Sequence, residues 1–172
     1  MAADITNVKM GACSVTFNDV DLGHTKGGVT VAYEPEYHDI TVDKYGNTVV
    51  EKVLVGESLK VTVPLAEHTI ANLEVAIPAG TDANGSSSVT LGKDAGELMA
   101  QYAKELVLHP LANADGDRTE DIVLYKAIVA EPIELVLNND GEKIAEVVFQ
   151  AILDESKADG ARLGLIGDSA GA

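Results

Sequence analysis

Between Gly27 and Pro78 the hydrophobic pattern changes period. Val29, Val31 and Tyr33 alternate with Thr30, Ala32 and Glu34, the spacing of a strand whose two faces differ. HDITVDKYGNTVVEKVLV continues this strand and returns, with Gly46-Asn47 as the expected hairpin turn. Pro35 has no N–H for a ladder, so the outgoing strand is expected to bend there or to lie at a sheet edge. Leu59, Val61 and Val63 then alternate with Lys60 and Thr62. After Pro64 the period becomes helical: Ala66, Ile70, Leu73 and Ile77 fall on one stripe. Glu67 suits a first helical turn, where the helix dipole favours an acid, and Pro78 suits a stop. The pattern predicts one helix over about 66–76.

The remaining chain reads as strands and turns. Residues 1–11 look like an extended N-terminal arm and 12–17 like a first strand. TDANGSSS (81–88) is a polar loop without core potential. A short helix near Leu98–Leu106 competes with strand in KELVLHP. ANADGDRTED (112–121) is an acidic loop. DIVLYKAIVAEPIELVL predicts two strands broken at Pro132, and NNDGE (138–142) a hairpin turn. KIAEVVFQAILDE predicts a long strand, LGLIGD a short last one, and 169–172 a frayed end. No repeat or linker divides the chain, so residues 1–172 are expected to form one mainly β domain, a sandwich or barrel with one flanking helix.

Composition sharpens this picture. With two Phe and no Trp, Val, Ile, Leu and Ala must fill the core. Twenty-eight acids against twelve bases give a net charge of −16, spread over both halves of the chain. Such a surface repels nucleic acid and anionic membrane; the plain alternative is solubility. Cys13 stands alone, so no intrachain disulfide can form and a reducing compartment is expected. Asp4 and Lys9 occupy the place of a signal peptide's apolar region. No apolar run approaches the roughly 18 residues of a membrane helix.

A search for chemistry returns little. His24, His38, His68 and His109 fall in no HxxxH or HExxH spacing. There is no GxSxG, and Cys13 in an apolar strand is expected to be an inert thiol. The loop around Asp115-Gly116-Asp117 has its glycine at the wrong offset for a calcium loop and lacks the closing glutamate. Gly160, Gly164 and Gly167 do not make GxGxxG. The expectation is a non-enzyme with no catalytic residues, metal or cofactor.

One ordered set of segments does carry information. VDLGHTKGGVTVAY, VDKYGNT and VGESLKVTVPLAEHTIANL are followed by KELVLHPL, DIVLYKAIV, VVFQAILDE and GLIGD. Over about Val8 to Asp168 this order resembles the major tail tube proteins of long-tailed bacteriophages. The LxLHP, strand-KA and VxFxAxxD elements are its more specific parts. The resemblance implies two packed antiparallel sheets in a barrel-like sandwich with a flanking helix, an extended N-terminal arm and a long hairpin loop. It also implies hexameric rings that stack into a hollow tube conducting DNA from capsid to host. The implied partners are further copies of the chain, a tape-measure protein, a tail terminator and baseplate or tip proteins. DNA would pass without specific binding and no membrane would be involved. The implied location is the virion tail, assembled in the host bacterial cytoplasm.

Tubes of contractile injection and type VI secretion machines share this fold and are the alternative. A β-sandwich binding module on a virion would want an exposed aromatic platform, which five Tyr and no Trp serve poorly. On the tube reading, Lys44, Tyr45, Gly46 and Asn47 are candidates for inter-subunit contact. Glu51, Glu57 and Glu146 are candidates for lining the lumen, where carboxylates would repel phosphate. Lys52, Lys60 and Thr62 belong to the same hairpin strands and could face the lumen or the exterior.

Overall fold

A computed structural model describes residues 11–77, 81–82, 88–92, 95–135 and 143–168. The expected N-terminal arm, the NNDGE turn and the C-terminal residues 169–172 lie outside the described residues. Ten strands are seen: β1 (Cys13–Phe17), β2 (Val20–Asp21), β3 (Thr30–Thr41), β4 (Val49–Leu65), β5 (Thr81–Asp82), β6 (Val89–Thr90), β7 (Lys104–Pro110), β8 (Asp121–Val129), β9 (Ala145–Ala151) and β10 (Gly164–Gly167). One helix, α1 (Ile70–Ala76), follows β4. The main sheet is antiparallel in the order β2-β1-β7-β8-β9-β4-β3, with β10 also paired to β8.

This sheet folds over on itself. β8 gives its C-terminal half, Ala127–Val129, to β9, and its N-terminal half, Asp121–Leu124, to β10. Strands β1 and β9 are three places apart in the sheet, which in a flat sheet would be about 14 Å. Yet the Phe17 and Phe149 rings lie 5.2 Å apart. The two layers of the sandwich are therefore halves of one bent sheet. Val15, Leu106, Leu124, Val61, Val63 and Phe149 fill the space between them, none exposed. The fold is mainly β with one helix, as the pattern predicts, but the sheet does not close into a barrel: β2 and β3 end the order.

β10 explains one glycine of GLIGD. A Cβ on Gly164 would sit 2.3 Å from the Val123 carbonyl and 3.2 Å from Leu59, so the strand approaches β8 too closely for any side chain. Gly164→Val should cost about 1–3 kcal/mol by overpacking. In urea unfolding the midpoint should fall with the slope unchanged; an unchanged midpoint would show that β10 is loosely held.

Several local expectations are corrected. The helix begins at Ile70, not at 66, because the chain is still extended there, Leu65 bridging Thr25 and Ala66 N–H continuing that pairing to the His24 carbonyl (2.9 Å). Thr69 caps it, its hydroxyl accepting from Asn72 N–H at 3.1 Å. Glu67 precedes the helix, and its carboxylate accepts from His24 N–H (3.0 Å). The polar stretch after α1 begins in strand, Thr81–Asp82 pairing with Val89–Thr90. Strand β9 stops at Ala151, and no strand forms over 130–135, because the chain beyond Pro132 loses the partner that β9 gives Ala127–Val129. The competing helix before β7 is a single 3-10 turn at Met99–Tyr102.

Candidate functional site

β4 is 17 residues long, but only Lys60–Leu65 pair with β9. The remainder pairs with β3 alone. Strands Glu34–Thr41 and Val49–Ser58 thus leave the sandwich as a two-stranded arm, about 30 Å long at the usual strand rise. β3 is the edge strand, which is how Pro35 is accommodated. The tip is not a two-residue Gly-Asn turn. Residues 42–48 form a wider loop with a 3-10 turn at Asp43–Tyr45, closed by Tyr45 N–H to the Val42 carbonyl (2.9 Å). Gly46 holds φ 62°, a left-handed value that glycine adopts without strain.

β3 alternates without interruption, while β4 carries register shifts opposite Glu36/Tyr37 and Ile40/Thr41. Partners directly opposite share a face. One face of the arm therefore carries Tyr33, Tyr37 and Leu54, with the Lys52–Asp39 ion pair at 2.8 Å. The other carries Val53 opposite His38, and Ile40 opposite Glu51. Both faces are apolar in part and both are open. Of seventeen exposed large hydrophobic residues among those described, ten lie between Tyr33 and Val55. Val53 is 46% exposed, Leu54 49% and Val55 59%. An isolated two-stranded ribbon is marginal in water, and a long apolar edge invites pairing. This arm has the composition of a segment covered by another molecule.

The predicted contact residues Lys44, Tyr45, Gly46 and Asn47 all lie at the arm's tip. Tyr45 is 55% exposed, with Lys44 Nζ 5.4 Å from its ring centre. The flanks, Tyr37 and Val53 to Val55, were missed. Their signal was a failure of alternation: TVVEKVLV places apolar residues on both faces, which no half-buried strand requires.

The lumen candidates do not share one face. Glu51 and Glu146 are exposed on the face away from the core, Glu51 opposite Ile40 and Glu146 opposite Pro64. Glu57 projects from the core side, two residues before buried Leu59, where its carboxylate accepts from the Tyr33 hydroxyl. That bond pushes the Tyr33 phenol up. Glu57 thus shares the apolar, core-side face and is separated from Glu51 and Glu146. Two acids that sequence reasoning passed over, Glu34 and Glu36, join Glu51 and Glu146 on the outer face, visible as the partners of Tyr33 in the period-two pattern. Lys60, on the same face, is neutralised by Glu131 at 3.2 Å, and Thr62 lies beside it. Lys52 is on the core-side face of the arm.

The three more specific sequence elements meet as polar clasps. His109 of LxLHP contacts Asp121, the first residue of DIVLYKAIV, through Nδ1 and Oδ1 at 2.7 Å. Arg118 donates to the second carboxylate oxygen of Asp121 at 3.2 Å, closing the acidic loop over its base. Asp121 is fully buried, and His109 Nε2 is buried with no hydrogen-bond partner among the described residues. Lys126 of the strand-KA element reaches Asp154 of VxFxAxxD at 2.8 Å. Asp154 also accepts from Ser156 N–H (3.1 Å) and hydroxyl (2.9 Å), starting the turn that leads to β10.

The Lys126–Asp154 clasp sets a pH dependence. Lys126, then Ser156, hold the Asp154 carboxyl down to about 2 from 3.8. Because the folded value lies below the unfolded one, the ionised clasp stabilises the fold above about pH 4. Its contribution falls away as pH drops from about 4 to about 2. Asp154→Asn should remove this component, so wild type and variant should converge in stability over that window. A wild-type advantage constant from pH 6 to pH 2 would contradict the assignment.

Cys13 is half-buried against the core and its thiol is pushed up by burial, as suits an inert residue. Among the described residues no three His, Cys, Asp or Glu side chains come together as a metal site, and no helix is long and apolar enough to cross a membrane.

No known protein-family model and no curated protein matches this chain. The arm and the acidic sheet face are the features that geometry itself singles out. β4 presents apolar groups to both sides of the arm, and the outer face carries Glu51 near the tip and Glu34, Glu36 and Glu146 nearer the body.

Proposed function

We propose that this chain is a structural subunit of a bacteriophage tail tube, forming hexameric rings that stack into a hollow conduit for DNA. The observation that carries the reading is the arm: nine exposed large hydrophobic residues on a two-stranded ribbon and its tip, which the chain's own body leaves largely open. A neighbouring copy supplies the missing cover. The sheet edge at β3 supports the same reading, since ring neighbours would satisfy its free backbone groups. On this reading the outer face with Glu34, Glu36, Glu51 and Glu146 lines the lumen and keeps DNA from binding. The tape-measure, terminator and tip proteins are the implied tail partners, and the virion tail is the implied location.

Sedimentation of the purified chain over a hundred-fold range of concentration tests the proposal. The expected result is a concentration-dependent shift from subunit to rings and longer assemblies. A monomer at every concentration would contradict it.

A further inference from the structure

A groove of about 420 Å³ opens at the root of the arm, where β4 leaves the body. Leu54, Val55 and Glu57 of β4 form one wall. Leu153, Arg162 and Leu163, from the segment between β9 and β10, form the other. Leu153 is 53% exposed, much as Leu54 and Val55 are. The two walls match: each carries apolar groups, with a carboxylate on the arm side and a guanidinium on the body side.

The arm is weakest at the same place. The register passes from Glu36 opposite Gly56 to Tyr37 opposite Leu54, so Val55 is an extra residue with no partner in β3. Such a bulge bends its strand and interrupts the ladder. Gly56 beside it has no side chain to restrict the backbone. Pro35, opposite Glu57, brings no N–H to the ladder. All three weak points fall together at 55–57 of β4. No third strand braces them, since β9 joins β4 only from Lys60 onward and β10 pairs with β8.

We infer that the arm root is a hinge and the groove beneath it a latch. In the free subunit the arm swings about Val55 and Gly56 toward the body. Leu54 and Val55 then close on Leu153 and Leu163, and Glu57 approaches Arg162. Burial of the half-exposed apolar groups drives the closure. The closed arm hides one apolar face in its own chain; the open arm offers both faces to a neighbour. The inference rests on the self-association proposed above and adds a gate to it. Affinity for a neighbour is reduced by the fraction of subunits held closed, so the latch raises the concentration at which assembly starts.

An internal disulfide tests the latch. In a Cys13→Ser background, Leu54→Cys is combined with Leu153→Cys, one on each wall. Diamide treatment is carried out below the concentration of assembly. The expected result is loss of both free thiols and a faster-migrating monomer on denaturing, non-reducing gels. The oxidised chain should fail to assemble when concentrated, and reduction should restore assembly. Val53→Cys with Leu153→Cys is the control, because Val53 lies on the far face of the arm, and its thiols should stay free. Gly56→Val should slow closure of the first pair. In the open arm a Cβ at 56 meets only the Glu36 side chain, at 3.5 Å, so the open form accepts it while the hinge stiffens. Val55→Cys with Ala161→Cys is a second pair across the groove, used if the first disturbs folding. No internal disulfide with either groove pair, or equal closure by the control, would overturn the inference; rings formed by the reduced chains would leave the tube reading standing. Oxidised chains that assemble as readily as reduced ones would overturn the gate. A chain that closes but never assembles, oxidised or reduced, would overturn the gate and the tube reading together.

Discussion

Aspartate at Val53 or at Leu54 should abolish assembly and leave the sandwich folded. The two positions lie on opposite faces of the arm, and each is about half exposed in the single subunit. Covering the remaining half of either side chain contributes about 1 kcal/mol by area. A carboxylate carried into the same contact loses that term and adds a desolvation cost of several kcal/mol. At 1.4 kcal/mol per tenfold, the concentration needed for assembly should rise on the order of a thousand-fold. The body should not notice. Residues 49–59 pair with β3 alone, and exposed substitutions usually stay within about 0.5 kcal/mol. Sedimentation velocity and urea unfolding of the same two variants separate these effects. Loss of assembly with an unchanged unfolding midpoint is expected; assembly at the wild-type concentration would show that the arm is not an interface.

The second large effect concerns DNA. Glu36→Lys with Glu146→Lys changes two exposed residues on the outer sheet face. Neither contacts the core, so assemblies should form as before. Ring symmetry would repeat each lysine around the lumen, converting a wall that repels phosphate into one that binds it. Non-specific affinity of this kind falls by roughly one power of salt concentration for each phosphate neutralised, and the interaction reaches only about 8 Å at physiological salt. Variant tubes should therefore retain DNA at low salt, releasing it steeply as salt rises, and slow its passage during ejection. Wild-type tubes should retain none. Equal passage through wild-type and variant tubes at low salt would place this face on the exterior and make the acidity ordinary surface charge.

Period-two alternation placed the body half of β4 because one of its faces lies in the core, and the chain shows that contrast residue by residue in Leu59, Val61 and Val63. What alternation could not show was the bend in the sheet. A bent sheet and two separate sheets bury the same residues, and what tells them apart is the unbroken pairing of β8 with β7 on one side and β9 on the other. The helix start was misplaced because a hydrophobic stripe does not record a prior claim on the backbone. Ala66 fits the stripe, yet it continues the extended pairing of Leu65 with the His24–Thr25 segment; the Thr69 cap was the better signal. In the site, the arm's tip was legible from its turn residues. Its flanks were not, because β4 carries an extra residue opposite Glu36/Tyr37 that turns Leu54 onto the Tyr37 face. The same shift separates Glu57 from Glu51, which equal spacing along one strand would have kept together. The specific motif residues were found in sequence but not their roles: His109, Asp121, Lys126 and Asp154 meet only in the fold.

Electron microscopy of the purified, concentrated chain in negative stain tests the central claim most directly. The account predicts rings of six subunits with a stain-filled centre, and stacks of such rings, from this chain alone. Variants with aspartate at Val53 or Leu54 should show only small single particles at the same concentration. Fields of uniform monomers of the wild-type chain, with no rings or tubes at any concentration, would contradict it.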